Sequence, residues 1–582
     1  NKEILMVTRN AATAPKSNEV RGRFFRISNK DADAFPPICP RCETDYRRRP
    51  STSPLRQHRT GFQRSSQVLA SALAREMPKY LGSKNARKLV IFSDSRQDAA
   101  KLSAGMELDH YRDMVRVCLM GAHASFTKSY LSQLSLFSKQ TDKLLPKVAR
   151  INSRLVDDIL QMMSLNAEIT VDKIFTQENR DLVNNLLQAA FMDENLSSKN
   201  FELMWGYPTK VPLRNIRDIV WTRLLNMGIC PGGTRAGLLQ FNDDKQRKYW
   251  WECFDWSTDL PVYKENSTEA ERQHLVKLKN SLMMELIICL FPNSTRTFEN
   301  LGLGYATFYQ KDSGSTVFHQ ACHSVIRNIC EKKNFRYWQS FALDPHNHTK
   351  QFQKKIMNYL NSTGIDPLSM KEYLADMRVI LNGAHTLGID PENLWLYIPE
   401  SGPSESATSN GWNCPKCGAF YMHESAGRCA ECNTELKKGS SHSSLDYYRY
   451  LAEKSGEGFR FHSEELSGQT DIADKPDRQR WFQEVFIKGQ REIPAVRGID
   501  LLSVTTTMEA GVDIGSLLAV MMANMPPRRF NYQQRVGRAG RKGIGLSLAI
   551  TFCRGRSHDE FYYRRPESIT GDPPPPPYVD MR

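Results

Sequence analysis

Two hydrophobic patterns alternate along this chain. Near its start and over its last quarter, short apolar runs stop abruptly at polar turns rich in hydroxyls and glycine. Between them, apolar residues recur three and four apart. The first pattern marks buried strands and the second marks helices with one apolar face. Strands are thus predicted at 89–93, 458–462, 499–505, 517–524 and 545–553, with helices at 96–106 and 478–486. The long middle carries helical spacing at 130–137, 155–165, 182–191, 216–225, 269–290 and 350–360. Val211-Pro212-Leu213-Arg214 and Pro231-Gly232-Gly233 break it. The aromatic run Trp250–Trp256 and the pairs Met162-Met163 and Met283-Met284 are expected to fill a core or an interface. No apolar run reaches eighteen residues. The longest, around 282–291, contains Glu285, so no membrane partner is expected.

Composition sets bounds on this picture. The 582 residues exceed one ordinary core and suit about three or four domains. Lys and Arg together number 79 against 64 Asp and Glu, a net charge of +15 that suits a polyanionic partner. Thirteen cysteines is an odd number, and Cys118, Cys289, Cys322, Cys330 and Cys553 sit in apolar surroundings. Buried thiols in a reducing, cytoplasmic setting are expected, not a disulfide scaffold.

Four cysteines stand apart. Cys414-Pro415-Lys416-Cys417 and Cys429-Ala430-Glu431-Cys432 place four thiolates on two tight turns, the donor set of a tetrahedral structural Zn2+. Gly418 and Asn433, one residue after each pair, suit the turns. Cys39-Pro40-Arg41-Cys42 is half of such a knuckle; its partners lie upstream, or are distant cysteines, or the pair binds no metal. The run Arg47-Arg48-Arg49 with Arg56, His58, Arg59 and Arg64 reads equally as a phosphate patch or as solvated loop charge.

Three segments carry further chemistry. Lys88–Asp98 and Leu501–Gly515 each run from an apolar strand into a polar loop, and in parallel α/β sheets ligands collect at such strand ends. Gln533-Gln534-Arg535-Val536-Gly537-Arg538-Ala539-Gly540-Arg541 sets Arg538 and Arg541 three apart, a guanidinium pair suited to phosphate oxygens. In this order the three segments resemble motifs IV, V and VI of the second RecA-like domain of superfamily 2 helicases. The wording around Glu509 and Gly511 is closer to the Lhr-type and cysteine-cluster DEAD/DEAH-type DNA helicases than to DEAD-box RNA enzymes. Residues 53–56, 462–470 and 558–577 look most like the helicase subunit of the DISARM phage-defence system and its relatives.

The resemblance implies an α/β fold: a RecA-like parallel sheet with helices on both faces, interrupted by a large, mainly α-helical insertion and a small zinc ribbon. It assigns Arg538 and Arg541 as arginine fingers on the γ-phosphate of ATP, with Gln534 orienting nucleotide or water. Asp513 matches the family position that binds ribose hydroxyls or couples the domains, Gly511 lets that loop approach closely, and Arg535 braces the interface. Ser95 and Arg96, with Thr505 and Thr506, match positions that grip nucleic-acid phosphates, which can be tracked without reading bases. Asp98 reads as an ordinary first-turn carboxylate favoured by the helix dipole. ATP with Mg2+ and a nucleic acid, DNA ahead of RNA, are the implied ligands. A protein partner in a defence complex is implied on the same ground.

The expected organisation is a lead-in over 1–87, a helicase domain split between 88–106 and 439–560, the helical insertion at 107–400, the ribbon at 401–438 and a proline-rich linker at 561–582. One part of a motor is missing. No Gly-Lys-Ser or Gly-Lys-Thr occurs, and the Asp-Glu pairs, Asp193-Glu194 and Asp559-Glu560, do not end an apolar strand. The first RecA-like domain is therefore expected upstream of Asn1 or on another chain, and this chain alone is expected to be inactive. The competing reading is a non-catalytic nucleic-acid-binding scaffold on a relic helicase fold.

Overall fold

The structure is a computed structural model. It describes residues 62–81, 87–148, 210–292, 297–308, 316–331, 352–382, 387–399, 410–440, 447–454, 458–505, 517–540 and 547–571, apart from 245, 259, 469, 472, 488–491 and 555. Contacts gather Gly61–Cys414 and Ala419–Arg582 into one unit.

Its organising element is a five-stranded, wholly parallel sheet. The strands are β1 (Leu89–Phe92), β2 (Ser463–Leu466), β3 (Leu501–Val504), β4 (Ala519–Met522) and β5 (Leu548–Thr551), in spatial order β2-β3-β1-β4-β5. The three central strands are buried along their whole length, as continuous apolar runs in a sheet covered on both faces should be. Strand alternation divides them cleanly. Val90, Phe92, Leu502, Val504, Val520 and Met522 face one core, which Phe482, Tyr532 and Val536 cover from the helices Asp474–Phe482 and Arg529–Val536. Leu89, Ile91, Leu501, Ala519 and Met521 face the other, closed by Leu102 and Met106 of the helix Arg96–Val148. This is the α/β, RecA-like arrangement expected.

Two local expectations change. The predicted helix 96–106 does not stop at 106 but runs unbroken to Val148, so one helix leaves the sheet and becomes the spine of the insertion. The predicted strand 458–462 is extended chain, and pairing begins at Ser463. Phe459 and Phe461 are instead buried against His110 of the spine helix, with ring centroids 4.7 and 5.4 Å away. The same alternating apolar residues serve helix packing there rather than a ladder.

In the insertion, the helices Leu213–Asn226 and Glu269–Leu290 pack along the spine. Thr268 and Glu271 form a capping box that fixes the start of the second. Arg112 of the spine reaches Glu285 at 2.9 Å, and the Tyr111 hydroxyl donates to the Pro231 carbonyl at 2.8 Å. The expected helices at 155–165 and 182–191 lie outside the described residues. Helices dominate, but short antiparallel strands join them: Lys210–Pro212, Leu394–Tyr397 and Tyr305–Phe308 form one sheet, and Gln240–Asp243 with Gln246–Tyr249 a hairpin. Met283, Trp250 and Phe254 are buried core residues.

Candidate motor site and metal centre

β1, β3 and β4 end together at one edge of the sheet, where Phe92 is in register with Val504 and with Met522. The chain reverses its direction of winding across β1 here, the kind of place where open α/β sheets bind ligands. Ser95 stands at the start of the spine helix, and its hydroxyl accepts from the Asp98 amide at 3.3 Å, capping that helix. Arg96, beside it, is half exposed, with Glu465 at 3.9 Å. Thr505 follows β3 directly and is buried. Ser95, Arg96 and Thr505 are thus brought to adjacent strand ends. Thr506, Gly511, Asp513 and Arg541 lie outside the described residues.

The helix Arg529–Val536 follows β4 and runs back along the sheet, so that Ala539 bridges to Leu517 and the Gly540 amide donates to the Leu517 carbonyl at 3.0 Å. Leu517 precedes β4, which puts Arg538 towards the opposite edge from Ser95 and Thr505. Arg538 is buried and Gln534 is exposed. Arg535 lies between the two groups. Its guanidinium is completely buried, donates to an Asp94 carboxylate oxygen at 2.5 Å and lies 5.6 Å from the Phe92 ring. Asn524, past the end of β4, accepts from the Asp94 amide at 3.2 Å and donates to its carboxylate.

A second carboxylate does similar work. Asp98 accepts from Arg554 at 2.8 Å, and Arg554 also donates from Nε to the Ala523 carbonyl at 3.0 Å. The dipole reading of Asp98 missed this pairing, and Asp94 received no role at all from the sequence. Both lie within the segment 93–98. The signal was an acidic residue on each side of Ser95 and Arg96, whose partners lie several hundred residues away.

The four expected metal ligands converge. The Sγ atoms of Cys414, Cys417, Cys429 and Cys432 all lie within 4.8 Å of one another. Gly418 and Asn433 have φ of 74° and 59°, the left-handed turns that close the two knuckles. The Cys429 amide donates to the Thr434 carbonyl at 2.8 Å, and the Asn433 amide returns to the Cys429 carbonyl at 2.8 Å. Strands Asn410–Asn413, Phe420–Tyr421 and Lys437–Ser440 frame the cluster. Thiolate sulfur in this number and spacing fits a closed tetrahedral site.

The ribbon is fastened to the insertion through Arg327 of the helix Thr316–Glu331. That buried guanidinium donates to Glu299 at 2.7 Å and to the Phe420 carbonyl at 2.9 Å, and stacks 4.6 Å from the Tyr421 ring. The Tyr421 hydroxyl in turn accepts from the Ala430 amide at 3.1 Å, inside the second cysteine turn.

With this geometry in view, residues 440–543 match the model of the helicase conserved C-terminal domain. Residues 440–543 thus carry a helicase conserved C-terminal domain. The Druantia protein DruE of Escherichia coli (strain UMEA 4076-1) is 49% identical over 100 residues, 17% of this chain and 5% of that protein. The ATP-dependent helicase HRQ1 of Saccharomyces cerevisiae is 38% identical over 65 residues, 11% of this chain and 6% of that protein. A crystal structure of the DUF1998 helicase MrfA bound to DNA and AMPPNP shares 24% identity over 22% of this chain and 16% of that one, at a TM-score of only 0.17. The matched segments thus span a small fraction of each curated relative. No helix among the described residues is long and apolar enough to cross a membrane.

Proposed function

We propose that this chain is the C-terminal motor portion of an ATP-dependent DNA helicase or translocase. The observation that carries the proposal is the ion pair of Asp94 with Arg535 at the sheet edge. It joins the segment bearing Ser95 and Arg96 to the helix bearing Gln534 and leading to Arg538 and Arg541. A protein that converts nucleotide state into grip on a phosphate backbone needs such a rigid link between its two surfaces. Arg538 and Arg541 supply positive charge to the γ-phosphoryl group as it departs, Gln534 orients nucleotide or water, and Asp513 and Gly511 line the nucleotide side. Ser95, Arg96, Thr505 and Thr506 hold successive phosphates. The other half of the ATP and Mg2+ site belongs to a first RecA-like domain, in cis or in trans, and this chain alone is inactive. Cys414, Cys417, Cys429 and Cys432 hold a structural Zn2+. A role in anti-phage defence, with a protein partner there, rests on the family resemblance alone.

The test is Arg541→Ala in the complete protein. Nucleic-acid-stimulated ATP hydrolysis should fall by about a thousandfold, the scale of an arginine finger. DNA affinity should stay within about twofold, since the residue serves the nucleotide. Unchanged turnover would sink the finger assignment.

A further inference from the structure

A cavity of about 570 Å3 lies at the amino ends of β2 and β3, on the opposite edge of the sheet from Ser95 and Thr505. The spine helix forms one wall, with Glu107, His110 and Tyr111 on one face at spacings of three and four. Tyr249, Trp250 and Trp251 of the insertion close a second wall, and the helix Asp474–Phe482 a third. The space is of the size that holds a small molecule.

The charges that line it are settled in pairs, with one exception. Arg460 lies 3.2 Å from Asp500 and donates to the Ala495 carbonyl at 2.5 Å. Arg478 lies 3.2 Å from Glu464 and 3.8 Å from Asp474. Arg497 rests against the rings of Tyr249, Trp251 and Trp481. Asp477 and Glu492 both accept from Arg480, at 2.8 and 2.6 Å. Glu107 is the exception: among the described residues no hydrogen bond or ion pair reaches its carboxyl.

Its neighbours do not supply a partner. His110 is bound through Nε2 to the Phe459 carbonyl at 2.8 Å, and burial holds its pKa down at about 4, so it is neutral. The Tyr111 hydroxyl is taken by the Pro231 carbonyl. His462 turns Nδ1 to the Gly498 carbonyl at 3.1 Å and Nε2 to Glu464 at 3.5 Å. Glu107 keeps some accessible surface although protein encloses it on nearly every side, as a side chain opening on a cavity does. An enclosed carboxylate without a partner is costly, and a cation would complete it. An anion would meet five lining carboxylates against three guanidinium groups, each already engaged.

We infer that this cavity binds a small organic cation, whose ammonium group pairs with Glu107 and whose aliphatic body lies along the aromatic wall. Tyr111, Trp250 and Phe461, the rings that Arg497 does not cover, line the same space and suit such a body. A cation held there ties the spine helix to the insertion hairpin and to the helix beside β2. Its occupancy thus sets how firmly the insertion is fastened to the sheet. None of the residues assigned to nucleotide or nucleic acid lines this cavity, so the motor reading stands or falls separately.

Isothermal titration calorimetry of the 582-residue chain with putrescine tests this, with butanediol as the uncharged counterpart of the same shape. Putrescine should bind at about one per chain, and Glu107→Gln should weaken it about tenfold or more, the scale of a charge-assisted hydrogen bond. The variant's melting temperature should not fall, which shows that it is folded. Wild-type affinity should rise from about pH 6 to about pH 8, because the ammonium favours the ionised carboxyl, whose pKa burial lifts from 4.5 to about 7. Loss of the His462 proton acts in the same direction. No saturable binding of putrescine by the wild-type chain up to about 10 mM overturns the proposal. So does butanediol binding equally well, unchanged binding in Glu107→Gln, or a flat pH profile. Mg2+ taking the place of putrescine would make the site inorganic and overturn it too.

Discussion

Asp94 and Arg535 are 441 residues apart in sequence and 2.5 Å apart in the fold, with the guanidinium wholly shut away from solvent. Asp94 is the second residue after β1, next to Ser95 and Arg96, the pair proposed to grip phosphates. Arg535 sits in the last turn of the helix that leads to Arg538. Arg535 is buried while Asp94 is partly exposed, so the pair contributes little net stability over a well-packed apolar pair, but removing the carboxylate is costly because it strands a buried guanidinium. Its value lies in fixing one orientation of the helix relative to the strand end.

Asp94→Ala should therefore cost about 3–5 kcal/mol by leaving the buried Arg535 unpaired, and the double variant with Arg535→Ala should cost distinctly less than the sum of the two single variants. Urea unfolding of the four proteins checks this. Additive costs would show that the two residues do not act as a pair.

Arg497 joins the insertion to the sheet's other flank. Its guanidinium lies 4.4 Å from the Trp251 ring, 4.9 Å from Tyr249 and 4.8 Å from Trp481. Tyr249 and Trp251 come from the insertion and stack on each other at 4.4 Å, while Trp481 belongs to the helix beside β2. Contacts of a cation with partly desolvated rings are worth about 0.5–2 kcal/mol each, so Arg497→Ala should lose about 2 kcal/mol overall. Lysine should not restore it, since an ammonium cannot stack between rings. Hydrogen exchange should rise over 240–256 and stay slow in β1. Exchange unchanged at both places would dismiss the latch.

How much of this was open to sequence reading follows from the range of each interaction. The strands announced themselves because burial on both faces writes a continuous apolar run, as in Leu89–Phe92 and Ala519–Met522. The metal ligands were legible because a tetrahedral site fixes short spacings within each knuckle. The ring stack on Arg497 left no local trace, and Asp94–Arg535 and Asp98–Arg554 left only the two acids flanking Ser95 and Arg96, with nothing local to name their partners. The full length of the spine helix was missed for a similar reason. Most of its residues from 110 to 123 are buried among partners on several sides, so no single apolar stripe marks it there. The short strands of the insertion, two to four residues each among the described residues, fall below any periodicity.

Metal binding should be felt beyond the ribbon. Arg327 and Tyr421 link the cysteine turns to the helix Thr316–Glu331, and Asn328 reaches the Ala430 carbonyl at 3.3 Å. The chain should hold about one tightly bound Zn2+, or two if Cys39 and Cys42 are completed by further ligands. Cys429→Ser should lower the zinc content by one and destabilise the insertion, because metal affinity at such sites is folding free energy. Metal analysis that finds no zinc in the wild-type chain removes the centre. A stable, zinc-depleted Cys429→Ser protein would show that the helix does not depend on it.

Glu107 gives a pH dependence whose sign can be stated. It lies in a cavity of about 570 Å3 between the insertion hairpin and the edge of the sheet, which His462, Glu464 and Arg478 also line. Burial lifts its carboxyl from 4.5 to about 7, against the charge of His462 and with the help of Glu464. The folded state thus holds a proton that the unfolded chain releases. Below about pH 4.5 the group is protonated in both states and has no effect; stability is lost as pH rises from there through 7. His462 is itself raised: burial opposes its charged form, but its hydrogen bond with Glu464 and the charge of Glu107 outweigh that. Its decline has the same sign, and Glu107→Gln, which removes one of the charges that raise it, should make that decline smaller and so adds to the expected gain. Glu107→Gln keeps the shape and removes the titration. It should leave the melting temperature unchanged near pH 4.5 and raise it by several degrees at pH 8, with the gap opening between those values. A variant that is equally or less stable at pH 8 would mean that the carboxylate is solvated there and its pKa ordinary.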